Sequence, residues 1–124
     1  MPTPLPPSEA RIQQDCVTWF RNTYRNHANL LYKNHNEGQK NIIAASIDKA
    51  LGLTPGVPDL FLAIPNIKYY GLYIELKRPG QTISAKQDEM IALLRRQGYK
   101  VEIITSVQDF QTTIYEYLLN ATTL

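Results

Sequence analysis

Cysteine is nearly absent from this 124-residue chain: Cys16 stands alone. No internal disulfide can therefore form, and a reduced, cytoplasmic setting is the one that fits. Cys16 lies within an apolar helical pattern, which makes it a small core residue, since an active thiol also needs an electropositive neighbour. Histidines number only two. His35 sits in a polar turn with no second nitrogen or sulfur ligand at metal spacing, so a structural or loosely substrate-facing role is expected of it. No apolar run approaches the length that spans a bilayer, and no basic segment leads into an apolar one at the start, so neither a membrane span nor a signal peptide is expected. A strong charge of either sign is missing too. Thirteen Lys+Arg against eleven Asp+Glu leave +2, which permits nucleic-acid binding without arguing for it.

Prolines are unevenly spread: Pro2, Pro4, Pro6 and Pro7 crowd the first seven residues. Residues 1–7 read as an extended leader and 8–124 as one domain, without internal repeat, interdomain linker or appended domain. Ser8 is a good N-cap, and Ile12, Cys16, Trp19, Phe20 and Tyr24 form an apolar stripe at helical spacing. A short strand follows from Leu30, ended by the polar cluster His35-Asn36-Glu37-Gly38. From Gln39 a second helix is expected, with Ile43, Ile47, Ala50 and Leu51 along one side and Gly52 as its C-terminal cap. Two apolar strands come next, then a helix over about 84–97 closed by Gly98. A β-branched strand and a helix capped by Ser106 complete an α-β-α-β-β-α-β-α order. This predicts an α/β fold with a mixed central sheet flanked by helices.

The paired strands carry charges where core would be expected. With a period of two, Leu72, Ile74 and Leu76 share one face while Tyr73, Glu75 and Lys77 take the other. In the preceding strand Leu60, Leu62 and Ile64 share a face that Asp59 leaves. A turn centred near Ile67 would set Asp59 opposite Glu75, although a slip of one residue would spoil the opposition. Two carboxylates brought that close repel, and burial makes it worse. A hard divalent cation neutralises them well, because Mg²⁺ takes oxygen ligands and typically one or two carboxylates. An ion-pair ladder on a solvated sheet face, with Lys77 balancing one acid, explains the spacing equally well.

The wider pattern departs from a plain ladder. Gly56-Val57-Pro58-Asp59 followed by Glu75-Leu76-Lys77 resembles the PD-(D/E)xK nuclease motif, and the finer detail resembles the VRR-NUC family within that superfamily. The matching pieces are Glu9 with Ile12-Gln13, Asn36-Glu37-Gly38, Leu51-Gly52-Leu53 and Tyr73-Ile74-Glu75-Leu76-Lys77-Arg78. Ser84-x-x-Gln87 and Gly98-Tyr99-Lys100-Val101 complete the set, which runs from about Glu9 to Thr105. The resemblance implies that Asp59, Glu75 and the Leu76 backbone carbonyl are metal ligands, and that Lys77 serves the attacking water and the scissile phosphate. It also implies that Glu9 reaches the metal directly or through water, and that Gln87 edges the active site. Two of these residues have plainer roles open to them. Glu9 also suits the helix dipole, and Ser84-Ala85-Lys86-Gln87 also fits a capping box. Lys40, Arg78 and Lys86 are sensible phosphate contacts.

By the same resemblance the expected activity is that of an endonuclease. It would depend on Mg²⁺, with Mn²⁺ able to substitute, and would use no small-molecule cofactor. Its expected partner is branched DNA such as a Holliday junction, cut by a homodimer because one hydrolytic centre cuts one strand. Tyr69, Tyr70 and Tyr73, or the final helix with Phe110, Ile114, Tyr117 and Leu118, could supply the interface. A DNA-binding module that does not cut, or a repair or restriction-type nuclease acting on other DNA, remain the alternatives.

Overall fold

Among the described residues, every α-helix starts at a short polar side chain that accepts one of the N–H groups a helix start leaves unbonded. Ser8 Oγ takes the Arg11 N–H at 3.1 Å and Asn41 Oδ1 takes that of Ala44 at 2.7 Å. Ser84 Oγ takes the Gln87 N–H at 3.2 Å, and Ser106 Oγ takes that of Asp109 at 3.1 Å. The computed structural model describes residues 7–34 and 41–121. Within them run α1 (Glu9–Thr23), β1 (Leu31–Lys33), α2 (Ile42–Ala50), β2 (Leu60–Leu62) and β3 (Leu72–Leu76). α3 (Ala85–Arg96), β4 (Lys100–Ile104) and α4 (Val107–Leu119) follow. This is the expected order. The additions are a 3₁₀ turn, Arg25–Leu30, between α1 and β1, and the Asn41 cap at the start of α2; Gln39, the expected start, lies outside the described residues.

The four strands form one sheet in the order β1-β2-β3-β4. β1 and β2 are antiparallel, as are β2 and β3, whereas β3 and β4 run parallel, joined by the α3 crossover. The sheet is therefore mixed. Leu60 pairs with Ile74, Phe61 with Tyr73 and Leu62 with Leu72. This is the register that a turn centred on Ile67 gives, and hydrophobic patterning enforces it, since a one-residue slip would turn Leu60, Leu62, Leu72 and Ile74 out of the core.

That core lies on one face of the sheet. Leu31, Leu60, Leu62, Ile64, Leu72, Ile74, Leu76 and Ile104 meet Ile12, Cys16 and Phe20 of α1 and Phe110, Ile114, Tyr117 and Leu118 of α4. Cys16 is fully buried, and burial pushes its thiol up to about 12. The Tyr117 hydroxyl donates to the Ile64 carbonyl at 2.6 Å, which pins α4 to the sheet. Phe110, Ile114, Tyr117 and Leu118, the residues of this helix considered for an interface, are thus core. The opposite face carries a row of rings, Tyr32–Phe61–Tyr73–Tyr99, with neighbouring centroids 4.4–5.8 Å apart. Of the three tyrosines considered for an interface, only Tyr70 stands well out in solvent. Among the described residues, no helix is long and apolar enough to cross a membrane.

Candidate active site

The end of β3 brings the charged residues together. Glu75 alternates with Ile74 and Leu76, so it leaves the sheet on the face away from the main core. It is nonetheless only 3% exposed, the one buried charged residue among those described. Asp59 immediately precedes β2, and extending the β2–β3 register by one residue sets it across from Glu75. Its carboxylate Oδ2 accepts the Leu76 backbone N–H at 2.8 Å. In a strand, the N–H and C=O of one residue emerge on the same edge. The Leu76 carbonyl therefore opens toward Asp59, while the next N–H, that of Lys77, turns to the Ile104 carbonyl at 2.9 Å.

Burial pushes the Glu75 carboxyl up to about 8, with the Asp59 charge as the next cause. Lys77 works against these, but its Nζ stands 3.9 Å from Glu75 Oε1, a loose ion pair that offsets only part of the cost. A hydrogen bond between the Asp59 and Glu75 side chains and the more distant charge of Glu9 add to the upward shift. Glu75 therefore holds its proton near neutrality while Lys77 stands beside it. A solvated ladder of ion pairs would leave no such perturbation, so the plainer reading of the E-x-K spacing does not describe this site.

Gln87 does two things at once. Its Oε1 accepts the Ser84 N–H at 2.8 Å, closing the capping box of α3. Its Nε2 donates to Glu75 Oε1 at 3.0 Å. The two ends of one amide thus tie the start of α3 to the buried carboxyl, so the capping and site-edge positions expected of this residue coincide.

The loop before β2 is held as firmly. Gly56 adopts φ +87°, and a Cβ there would stand 2.5 Å from the Lys86 backbone carbonyl oxygen. Only glycine permits that approach to the first turn of α3. Asn34 secures the other side, donating from Nδ2 to the Pro58 carbonyl at 2.7 Å and from its backbone N–H to the Asp59 carbonyl at 2.9 Å. Sequence reasoning gave Asn34 no role. A half-buried asparagine beside a Pro-Asp loop becomes a recognisable signal only once the strands are paired.

Glu9, in the first turn of α1, lines an open cleft of about 520 Å³ with Gln13, Tyr32, Lys33 and Asp59. Lys86 lies exposed in the first turn of α3, and Arg78, half-buried, directly follows Lys77. Lys40, His35 and Asn36-Glu37-Gly38 lie outside the described residues. Among the described residues, no three His, Cys, Asp or Glu side chains converge as a metal-holding group. The acidic side chains that meet there are Asp59 and Glu75, with Glu9 across the cleft.

The VRR-NUC domain family model matches residues 6–108. One solved structure, described as a VRR_NUC domain protein, superposes with a TM-score of 0.80 at 22% identity, covering 93% of this chain and 91% of that one. A second, described as a VRR_NUC domain, gives a TM-score of 0.56 at 19% identity, covering 88% and 96%. At such identities the likeness speaks for the fold. No curated protein matches the chain. The family model spans most of the sequence and the fold agrees with it, so this chain belongs to the VRR-NUC family and is a nuclease-type domain.

Proposed function

We propose that the chain is a divalent-metal-dependent endonuclease that hydrolyses phosphodiester bonds in branched DNA, Holliday junctions among them, as a homodimer. The observation that carries this reading is the meeting of Asp59 with the buried Glu75 beside Lys77. Two carboxylates in one desolvated place repel, and a bound cation relieves that repulsion when Glu75 gives up its proton. The donors are all oxygens and hard, which suits Mg²⁺, with Mn²⁺ as a substitute. Asp59, Glu75 and the Leu76 carbonyl would hold the ion, with Glu9 contributing directly or through water.

Bound there, the cation supplies Lewis-acid polarisation of a phosphoryl oxygen and a more acidic attacking water. The chain's own groups complete the site. Lys77 offers an ammonium that can hold the nucleophilic water and offset the charge developing on the phosphate. Gln87 fixes the Glu75 carboxyl through its amide, and the Leu76 N–H fixes that of Asp59. Arg78 and Lys86, at the same end of the sheet, suit contacts to flanking phosphates. Each centre cuts one strand, so symmetric cutting of a four-way junction calls for two centres related by a two-fold axis.

The deciding experiment is a gel with labelled junction, flap and linear duplex, each incubated with Mg²⁺, Mn²⁺ or EDTA. Metal-dependent cutting of the junction in preference to duplex is expected. Equal cutting of linear duplex would remove the branched-substrate reading, and no cutting in any metal would leave a binding module.

A further inference from the structure

The sheet face that carries Glu75 also carries the row of rings, and the row leads to the acids. Phe61 stands two residues beyond Asp59 and Tyr73 two before Glu75, so each acid has a ring one pleat repeat away, about 7 Å along the strand. Phe61 is seated over Gly71, where a Cβ would stand 2.7 Å from its Cζ. It packs on Tyr73 at 4.4 Å and on Tyr32 at 5.8 Å. Cross-strand ring pairs ordinarily just stabilise a sheet, and that role accounts for Phe61, Tyr73 and Tyr99. Tyr32 is different. It lies on β1, an edge strand among the described residues, and is 43% exposed. Among the described residues its ring meets only that of Phe61. It also lines the same open cleft of about 520 Å³ as Glu9 and Asp59.

We propose that Tyr32 is a stacking platform for one unpaired nucleobase, held in this cleft next to the scissile phosphate; the place of that phosphate rests on the nuclease reading above. A protein ring stacks only on a base whose face is free. That excludes bases inside a duplex and admits those splayed out at a branch point or in a single strand. The cleft has room for a nucleotide and none for a stretch of duplex. Tyr32 pairs with Phe61 across the strands, so it stands level with the ring that follows Asp59. One pleat repeat is also about the span from a phosphate to its own base, so a phosphate at the acids leaves that base level with Tyr32. The remaining walls favour a nucleotide over an apolar side chain. Lys33 is exposed beside Tyr32, and Arg21 is fixed by its Nη2 on the Leu31 carbonyl at 3.2 Å. Both line the cleft and supply positive charge for the sugar-phosphate chain. Gln13, on the α1 wall, offers an amide to a base edge.

The test measures binding by fluorescence anisotropy in Ca²⁺, with a forked duplex whose branch bases are unpaired and with the same duplex fully closed. Wild type should prefer the fork, and Tyr32→Ala should weaken fork binding roughly 5- to 150-fold, the usual worth of one stacked base, while closed-duplex binding stays the same. Tyr32→Trp should bind the fork at least as well as wild type. An abasic residue placed at each unpaired position in turn should, at one of them, cost wild type as much as the alanine substitution, and the two losses should not add. Equal loss on fork and closed duplex overturns the proposal, as does a tryptophan variant no better than alanine. Should Tyr32→Ala not fold by circular dichroism, the abasic series on wild type decides, and unchanged affinity at every position overturns the platform. If the binding changes occur but no DNA is cut with Mg²⁺ or Mn²⁺, the platform stands and the nuclease reading falls. Cutting of the fork that depends on neither Tyr32 nor the base keeps the nuclease reading and overturns the platform.

Discussion

Replacing Glu75 by glutamine removes a titrating group from the most buried charged position among the described residues. The amide keeps the shape and still accepts from Gln87 Nε2. In the wild type the carboxyl is raised from 4.5 to about 8 by burial and by Asp59. The folded state therefore binds more protons than the unfolded chain between those values, and stability falls as pH rises through that window. At 1.36 kcal/mol per pKa unit, and allowing for relaxation around the ionised group, the loss is on the order of 3–5 kcal/mol. Glutamine does not titrate. In EDTA, the variant and wild type should melt together near pH 5, and the variant should melt higher at pH 9. At ~4 °C per kcal/mol the gap reaches roughly 10–20 °C. Thermal melts followed by circular dichroism across pH 5–9 measure it, and titrating groups remote from Glu75 cancel in the difference. Mn²⁺ at pH 9 should raise the wild-type midpoint and leave that of the variant alone. A gap that stays flat with pH, or that favours wild type at high pH, would refute the account of a buried carboxyl destabilised by desolvation and Asp59.

Lys77→Ala should lower cutting by about 10²–10³-fold, the usual loss for one preorganised charge donor, with Mn²⁺ affinity by calorimetry nearly unchanged; retained turnover would leave the lysine as a mere partner of Glu75. Ser84→Ala and Gln87→Ala separate capping from the site: each should lose about 1 kcal/mol in urea unfolding, but only the second should also reduce cutting. Gly56→Ala must place a Cβ against the Lys86 carbonyl at positive φ. It should lose ~1–3 kcal/mol and weaken metal binding as the Asp59 loop shifts, and wild-type stability would show that the loop does not depend on α3.

The local choices were readable from the chain because they are made locally. Ser8, Ser84 and Ser106 announce helix starts by a side chain that replaces a missing backbone partner, and all three cap in the folded chain. Alternation in 60–64 and 72–77 separated core from charge and gave the register that opposes Asp59 and Glu75. The 3₁₀ turn Arg25–Leu30 carries no comparable signal, because its residues neither cap nor alternate.

What the sequence determined by itself is the order of elements and the list of acids and bases at the charged strand ends, since both follow from periods of 2 and 3.6 and from caps. Only the tertiary structure decided how deeply Glu75 is buried, that Gln87 spans a helix start and a carboxyl, and that Asn34 holds the Pro58 carbonyl. It also decided the direction in which the α2 stripe points. Periodicity places Ile43, Ile47 and Leu51 on one side of a helix, but which side meets the body depends on what the rest of the chain leaves to be covered. Here α1 and α4 already fill the core face of the sheet, and the stripe is left facing water.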